Sequence, residues 1–268
     1  VTAPFGERLA AVVGGRGPLC VGIDPHRQLL LDWGVGDDLD GLRRFTDTVV
    51  EALAGSVAVL KPQLAFYERF GSRGIAVLEE AVDRIRGAGA LVLLDAKRGD
   101  IGSTMAAYAD YLREDHPMRV DAMTVSPYLG PGSLQPAVDT ARRHGGGLFV
   151  LARTSNPDAG ALQLVGEPTV AQRVVDTVRG WNTGTPTGSF GLVVGATLRE
   201  LDVDLDDLGG PILAPGLGAQ GGSAADLRRL FGAGQVVVPT VSRDVLAAGP
   251  DPAALRAAAD RWAAELAG

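Results

Sequence analysis

Ala90-Leu91-Val92-Leu93-Leu94-Asp95-Ala96-Lys97-Arg98-Gly99-Asp100-Ile101-Gly102-Ser103-Thr104 reads as a buried strand that ends in charge and runs on into a helix. The apolar run Ala90–Leu94 makes the strand, and Met105-Ala106-Ala107-Tyr108-Ala109 opens the helix. Residues two apart on a strand share a face, so Asp95 and Lys97 are expected to point the same way. Asp100 lies past the strand end and is free to aim elsewhere. A carboxylate beside an ammonium, with a second carboxylate one step on, suits proton delivery and charge stabilisation. An isolated Asp-x-Lys is more often a salt bridge at the lip of a sheet. The remainder of the chain decides between the two.

The same unit of strand then helix recurs along the chain. Apolar runs occur at Leu19–Asp24, Val57–Gln63, Leu91–Lys97, Ala122–Ser126, Leu148–Thr154, Gly191–Thr197, Pro211–Gly216 and Gln235–Val241. Amphipathic stretches lie between or after them, at Leu42–Ala54, Gly74–Arg86, Thr104–Glu114, Leu134–His144, Val170–Trp181, Ala224–Phe231 and Pro252–Leu266. This alternation predicts an α/β fold, a parallel (β/α)8 TIM barrel, occupying residues 1–268 as a single domain. A doubly wound open sheet is the structural alternative, weakened because no G-x-G-x-x-G follows the first strand. Asn156–Pro168 and Asn182–Ser189 read as loops.

Composition narrows the function. The length of 268 residues and 46% hydrophobic content suffice for a sizeable core. A formal net charge of −7 argues against a general nucleic-acid binder, although a local cationic pocket can still take an anionic small molecule. Nothing in the chain has the layout of a signal peptide or an apolar run of about 18 residues, so a cytoplasmic protein without membrane association is expected. The one cysteine, Cys20, sits in an apolar run and reads as a buried, inert thiol. His26, His116 and His144 have no metal-site spacing. His116 and His144 read as surface or capping residues. His26, after Asp24-Pro25 at a strand end, is a candidate to line a site.

Barrel active sites form at the C-terminal ends of the strands. There the chain places Asp24, then Lys61-Pro62-Gln63, then Asp95 and Lys97, then Arg153-Thr154-Ser155-Asn156. The seventh run opens into Ala214-Pro215-Gly216-Leu217-Gly218-Ala219-Gln220-Gly221-Gly222, and the eighth ends in Thr240-Val241-Ser242-Arg243. Charged groups beside a packed core are costly unless they pair or act. The glycines allow close backbone approach. The helix N-terminus near Ser223 and Ala224 offers free N–H groups, and Arg243 adds a two-pronged donor. Loops after the last two strands are the usual phosphate site of such barrels, and a phosphate is expected here.

These residues resemble the orotidine 5′-monophosphate decarboxylase family. The D-x-K-x-x-D-I signature stands as Asp95-Ala96-Lys97-Arg98-Gly99-Asp100-Ile101, followed by Thr104, and the family's glycine loop stands as Pro215 to Gly222. Thr154-Ser155-Asn156-Pro157 is similar to the longer bacterial branch found in mycobacteria and their relatives. The resemblance spans Asp24 to Arg243. It implies that Lys97 protonates the pyrimidine C6 as carbon dioxide leaves, with Asp95 beside the substrate carboxylate and Lys61 in the same charge network. It implies that Asp24 binds a ribose hydroxyl and that Ser155 reads the pyrimidine edge. Gln220 and Arg243 would hold the phosphate, with Pro215, Gly216 and Ser242 also contacting substrate. Asp100, Ile101 and Thr104 would reach into the partner's site of an obligate homodimer. It also implies de novo pyrimidine biosynthesis and no cofactor.

The residue types suit that chemistry. Losing carbon dioxide from C6 leaves charge in the ring plane, where ordinary π delocalisation does not help. No lysine–pyridoxal, thiamine or metal-ligand pattern is recognisable, so fixed charge must do the stabilising. An ammonium held between two carboxylates is favoured in its charged form. Two other readings remain open. One is a Mg²⁺-dependent sugar-phosphate enzyme of the same barrel group, which needs a further acidic ligand where Gln63 stands. The other is a nucleotide-binding protein without catalysis, for which the charged cluster would be superfluous.

Overall fold

In the computed structural model, which describes residues 2–232 and 234–268, every apolar run becomes a strand. The strands are β1 (Cys20–Ile23), β2 (Val59–Pro62), β3 (Leu91–Arg98), β4 (Ala122–Val125), β5 (Gly147–Arg153), β6 (Phe190–Val194), β7 (Ile212–Pro215) and β8 (Val237–Val241). They pair in parallel and in chain order, and β1 returns to β8, so the barrel is closed. Closure excludes the open doubly wound sheet. Several strands are shorter than the apolar runs because their polar ends leave the ladder at the barrel mouth. The run expected over Gly191–Thr197 is paired only as far as Val194.

Twelve α-helices surround or cap the barrel among the described residues. They are α1 (Phe5–Arg16), α2 (Arg27–Asp32), α3 (Leu39–Leu53), α4 (Ala65–Glu68), α5 (Gly71–Gly87), α6 (Gly102–Ala109), α7 (Gln135–His144), α8 (Gly160–Gln163), α9 (Val170–Asn182), α10 (Ala224–Phe231), α11 (Arg243–Leu246) and α12 (Pro252–Ala267). The expected helix Thr104–Glu114 is α6 followed by a 3₁₀ turn at Asp110–Leu112. The loop expected over Asn156–Pro168 holds a 3₁₀ turn at Pro157–Ala159 and then α8. No helix follows β6, and residues 195–211 run irregularly to β7. His144 ends α7, and Gly145 at φ 68° supplies the left-handed cap that glycine tolerates.

Two apolar cores result. One lies between the barrel and its helices, where the buried faces of α3, α5, α7 and α9 meet the outer faces of the strands. The other fills the barrel interior, with Cys20, Val59, Leu91, Leu93, Ala122, Phe149, Val193, Leu213 and Val238 drawn from all eight strands. Helix α1 closes this interior from below. Phe5 and Leu9 join the inner core, and the Phe5 ring stands edge-on to Phe149 at 5.9 Å. A Cβ on Gly147 would lie 2.3 Å from Cδ1 of Phe5, so glycine is required where the plug seats. Arg8 fastens α1 by pairing with buried Asp121 and donating to the Gly145 carbonyl at 2.8 Å. Cys20 is fully buried in this core, and burial pushes its thiol up to about 12, as an inert thiol requires.

The plug carries a prediction. Phe5→Ala opens a cavity under the barrel and is expected to destabilise the fold by about 3–5 kcal/mol, measured by urea unfolding. A loss below about 1 kcal/mol would mean that the barrel floor collapses to fill the space.

Candidate active site

The upper surface of the inner core forms the floor of a cavity of about 230 Å³ that opens to solvent at the C-terminal ends of the strands. Leu151, Val193 and Leu213 make the apolar part of its lining. Asp24, Lys61, Gln63, Asp95, Lys97 and Thr124 line it from β1 to β4. Pro215, Gly216, Gln220, Ser242 and Arg243 face them from the loops after β7 and β8. The carboxylates and ammonium groups are therefore gathered on one side of an apolar floor, with Arg243 opposite them, and electrostatic interactions there are stronger than in water.

Asp95 organises the charged wall. Its Oδ2 accepts from Lys61 Nζ at 2.9 Å. Its Oδ1 accepts from Lys97 Nζ at 2.7 Å and from the Thr124 hydroxyl at 2.9 Å. Burial alone would raise the Asp95 carboxyl, but the two ammonium groups outweigh it and hold the group well below the usual carboxylate range. Burial likewise works against a charged Lys61, and the Asp95 and Asp24 carboxylates reverse that and hold it above its ordinary value. The Lys61 and Asp95 side chains are 6% and 10% exposed, and that of Lys97 is 45% exposed. Lys97 is thus the ammonium of the pair open to a ligand.

Within one chain Lys97 contacts a single carboxylate, that of Asp95, and Asp95 sits between two ammonium groups. Asp100 lies outside the cavity, where its Oδ1 accepts the Ile101 N–H at 2.8 Å. Ile101, 61% exposed, and exposed Thr104 also lie outside the lining. The reason is local: the chain leaves β3 at Arg98 and turns outward into α6.

Asp24 is buried, and its Oδ2 accepts from the Ser242 hydroxyl at 2.6 Å. Asp24 Oδ1 and Thr240 Oγ1 are buried without a hydrogen-bond partner, and both residues line the cavity. A buried carboxylate oxygen without a donor is costly, and a ligand hydroxyl would satisfy it.

Across the cavity the glycine loop folds on itself. The N–H of Gly222 donates to Gly216 O at 3.0 Å, and that of Gly218 to Gly222 O at 2.9 Å. Gly216 has φ 112°, which only glycine adopts without strain. Arg243 is exposed at the rim and makes no ion pair among the described residues. The N-terminus of α10 stands apart from this cavity. Ser223 and Asp226 form a capping box: the Ser223 hydroxyl accepts the Asp226 N–H, and the Asp226 carboxylate accepts the Ser223 N–H. Neither Ser223 nor Ala224 lines the cavity, so the loop and Arg243 form the anion-facing wall.

Two further candidates sit beside the cavity. Ser155 is exposed and packs over Gly195, where a Cβ would lie 3.0 Å from its own; Thr154 takes the lining position. His26 stacks edge-on against Phe66 at 4.3 Å and borders a shallower cavity behind Gln220 and Arg243. Thr154 stands at the strand end where it was expected, whereas Thr124 was not anticipated. Thr124 is a hydroxyl inside the apolar run Ala122–Ser126, two residues before its polar end. A separate signal is compositional: Lys61 and Lys97 are the only lysines in a chain with 25 Lys and Arg residues. No cluster of three or more His, Cys, Asp or Glu side chains among the described residues is arranged to hold a metal, and no described helix is long and apolar enough to cross a membrane.

Comparison with known proteins adds an independent line. Residues 17–258 match the model of the Orotidine 5′-phosphate decarboxylase / HUMPS family. The orotidine 5′-phosphate decarboxylase of Salinispora arenicola is 62% identical over 267 residues, covering 97% of this chain and 96% of the relative. That of Streptomyces coelicolor is 60% identical over 269 residues, covering 98% and 97%. A crystal structure from Streptomyces avermitilis superposes with a TM-score of 0.95 at 60% identity, covering 99% of this chain and 95% of that one. The OMP decarboxylase of Leishmania donovani superposes with a TM-score of 0.75 at 33% identity, covering 98% of each chain.

Proposed function

This chain belongs to the Orotidine 5′-phosphate decarboxylase / HUMPS family, and we propose that within it the chain is the decarboxylase itself, converting orotidine 5′-monophosphate to uridine 5′-monophosphate in pyrimidine biosynthesis. The observation that carries this reading is one cavity with Asp95 clamped between Lys61 and Lys97 on one wall and Arg243 with the glycine loop on the other.

The phosphate of the nucleotide lies against Gln220 and Arg243, with Pro215, Gly216 and Ser242 closing around it. The unpartnered Asp24 Oδ1 accepts a ribose hydroxyl, and Lys61 supports the same edge. The pyrimidine carboxylate then sits beside Asp95 and Lys97. The C6–carboxylate bond breaks, its electron pair stays on C6, and carbon dioxide leaves. Lys97 Nζ stabilises the developing charge and gives its proton to C6, completing the product. No cofactor takes part. Ser155 reads the ring edge once the segment after β5 moves over the substrate. Asp100, Ile101 and Thr104 serve the partner's site in a homodimer, and residues 1–268 act as one barrel domain in the cytoplasm.

Turnover is expected to be unchanged after exhaustive chelation, followed by the fall in substrate absorbance. Loss of turnover restored by Mg²⁺ would instead favour a metal-assisted sugar-phosphate reaction. Arg243→Ala is expected to weaken uridine 5′-monophosphate by about 10- to 100-fold, the equivalent of a charge-assisted hydrogen bond worth about 1.5–3 kcal/mol. Uridine binding should change little. Calorimetry on both ligands separates the cases, and equal weakening would remove Arg243 from the phosphate site.

A further inference from the structure

Strands β3 and β4 pair as Leu93↔Ala122 and Leu94↔Met123, then as Arg98↔Val125. Asp95, Ala96 and Lys97 therefore stand opposite one residue, Thr124. A bulge of this kind leaves backbone groups outside the ladder and bends the strand that carries them. The Lys97 N–H is such a group, and it donates to the Thr124 hydroxyl oxygen at 2.9 Å. Lys97 has φ 47° and is one of two non-glycine residues with positive φ among those described. A non-glycine residue stays in that region only where its surroundings over-determine it.

The direction of each hydrogen bond follows from the chemistry. An amide N–H can only donate, so the Thr124 oxygen accepts there. Its own proton then goes to Asp95 Oδ1, 2.9 Å away. The same Oδ1 accepts from Lys97 Nζ at 2.7 Å. One buried hydroxyl, 1% exposed, thus ties the backbone of the lysine to the carboxylate that its side chain grips.

We propose that Thr124 is a positioning residue for the decarboxylation. Its hydroxyl holds Lys97 in the left-handed backbone that brings the ammonium to the cavity, and it sets the rotation of the Asp95 carboxylate. The proposal rests on the decarboxylase reading above.

The test compares Thr124→Val, which removes the hydroxyl at similar size, with Thr124→Ser, which keeps it. Misplacing a reacting group by about 1 Å can cost about 100-fold, so Thr124→Val is expected to lose about 10- to 100-fold in kcat with KM altered less than about threefold. Thr124→Ser is expected to restore most of the loss. A spectroscopic readout is independent of turnover. With only Lys61 and Lys97 in the chain, [¹⁵N]lysine labelling yields two backbone amide signals. The Lys97 signal should be protected from hydrogen exchange in the wild type, and in Thr124→Val it should shift and lose protection while that of Lys61 stays in place.

A wild type without turnover would overturn the decarboxylase reading and the positioning role with it. An active wild type beside an equally active Thr124→Val would overturn the positioning role alone. So would a loss that Thr124→Ser fails to restore. Should Thr124→Val not fold, an unprotected Lys97 amide in the wild type would overturn the proposal by itself.

Discussion

Lys97→Ala is expected to reduce kcat by about 10³-fold or more while binding of the product nucleotide stays largely intact. Two effects act through the same ammonium. General acid catalysis contributes about 10²–10⁴-fold, and a preorganised donor at the developing charge contributes about 10²–10³-fold. Both are needed mainly in the transition state, so the loss should fall on kcat rather than on affinity. The fold should survive, because Asp95 keeps Lys61 and Thr124 as donors and the Lys97 side chain is already half exposed. A variant retaining more than about a tenth of wild-type kcat, a loss under about 1.4 kcal/mol, would exclude Lys97 as the acid. Lysine chemistry cannot account for the whole of the 8–23 kcal/mol or so by which enzymes lower barriers. On the proposed reading, binding energy from the distant phosphate helps to lower the rest of the barrier.

Asp100→Ala is expected to be nearly inactive as well, and for a reason that its own chain does not contain. Asp100 is outside the cavity and does not touch Lys97 within one chain. If it completes the partner's site, the defect should be repaired in trans. In a two-fold dimer each subunit gives and receives the same residues. Unfolding and refolding an equal mixture of Asp100→Ala and Lys97→Ala chains should place about half of the dimers in the mixed class. Each mixed dimer has one intact site and one doubly defective site, so about a quarter of all sites should recover. No recovery despite confirmed subunit exchange would mean that Asp100 acts within its own chain.

Much of the site was legible in the residues because barrel geometry converts strand ends into neighbours. Once eight runs are recognised, Asp24, Lys61, Asp95 and Arg243 must meet at one rim, although Asp24 and Arg243 are far apart in sequence. The glycine loop was legible for the same reason. What was not legible is which partner each group chooses. Ser223 and Ala224 suggested an open helix N-terminus, but Asp226 folds back and takes the Ser223 N–H, and neither residue lines the cavity. Ser155 and Thr154 are adjacent in sequence, and only the turn after β5 decides which of them lines the cavity.

The local periodicity of this chain was enough by itself to narrow the fold to a parallel barrel or a doubly wound sheet, because short apolar runs alternating with amphipathic stretches have few ways to bury both faces of a sheet; the pairing of β1 with β8 decided for the barrel. The periodicity also marked the Asp95–Lys97 pair as facing one way. The tertiary structure alone decided that Phe5 plugs the barrel floor and that residues 195–211 carry no helix. It alone decided that Asp95 is the carboxylate gripped by two ammonium groups. The physical reason is the bulge between Leu94 and Arg98. Its backbone geometry depends on the hydroxyl of Thr124 from the next strand, and no pattern within β3 encodes that contact.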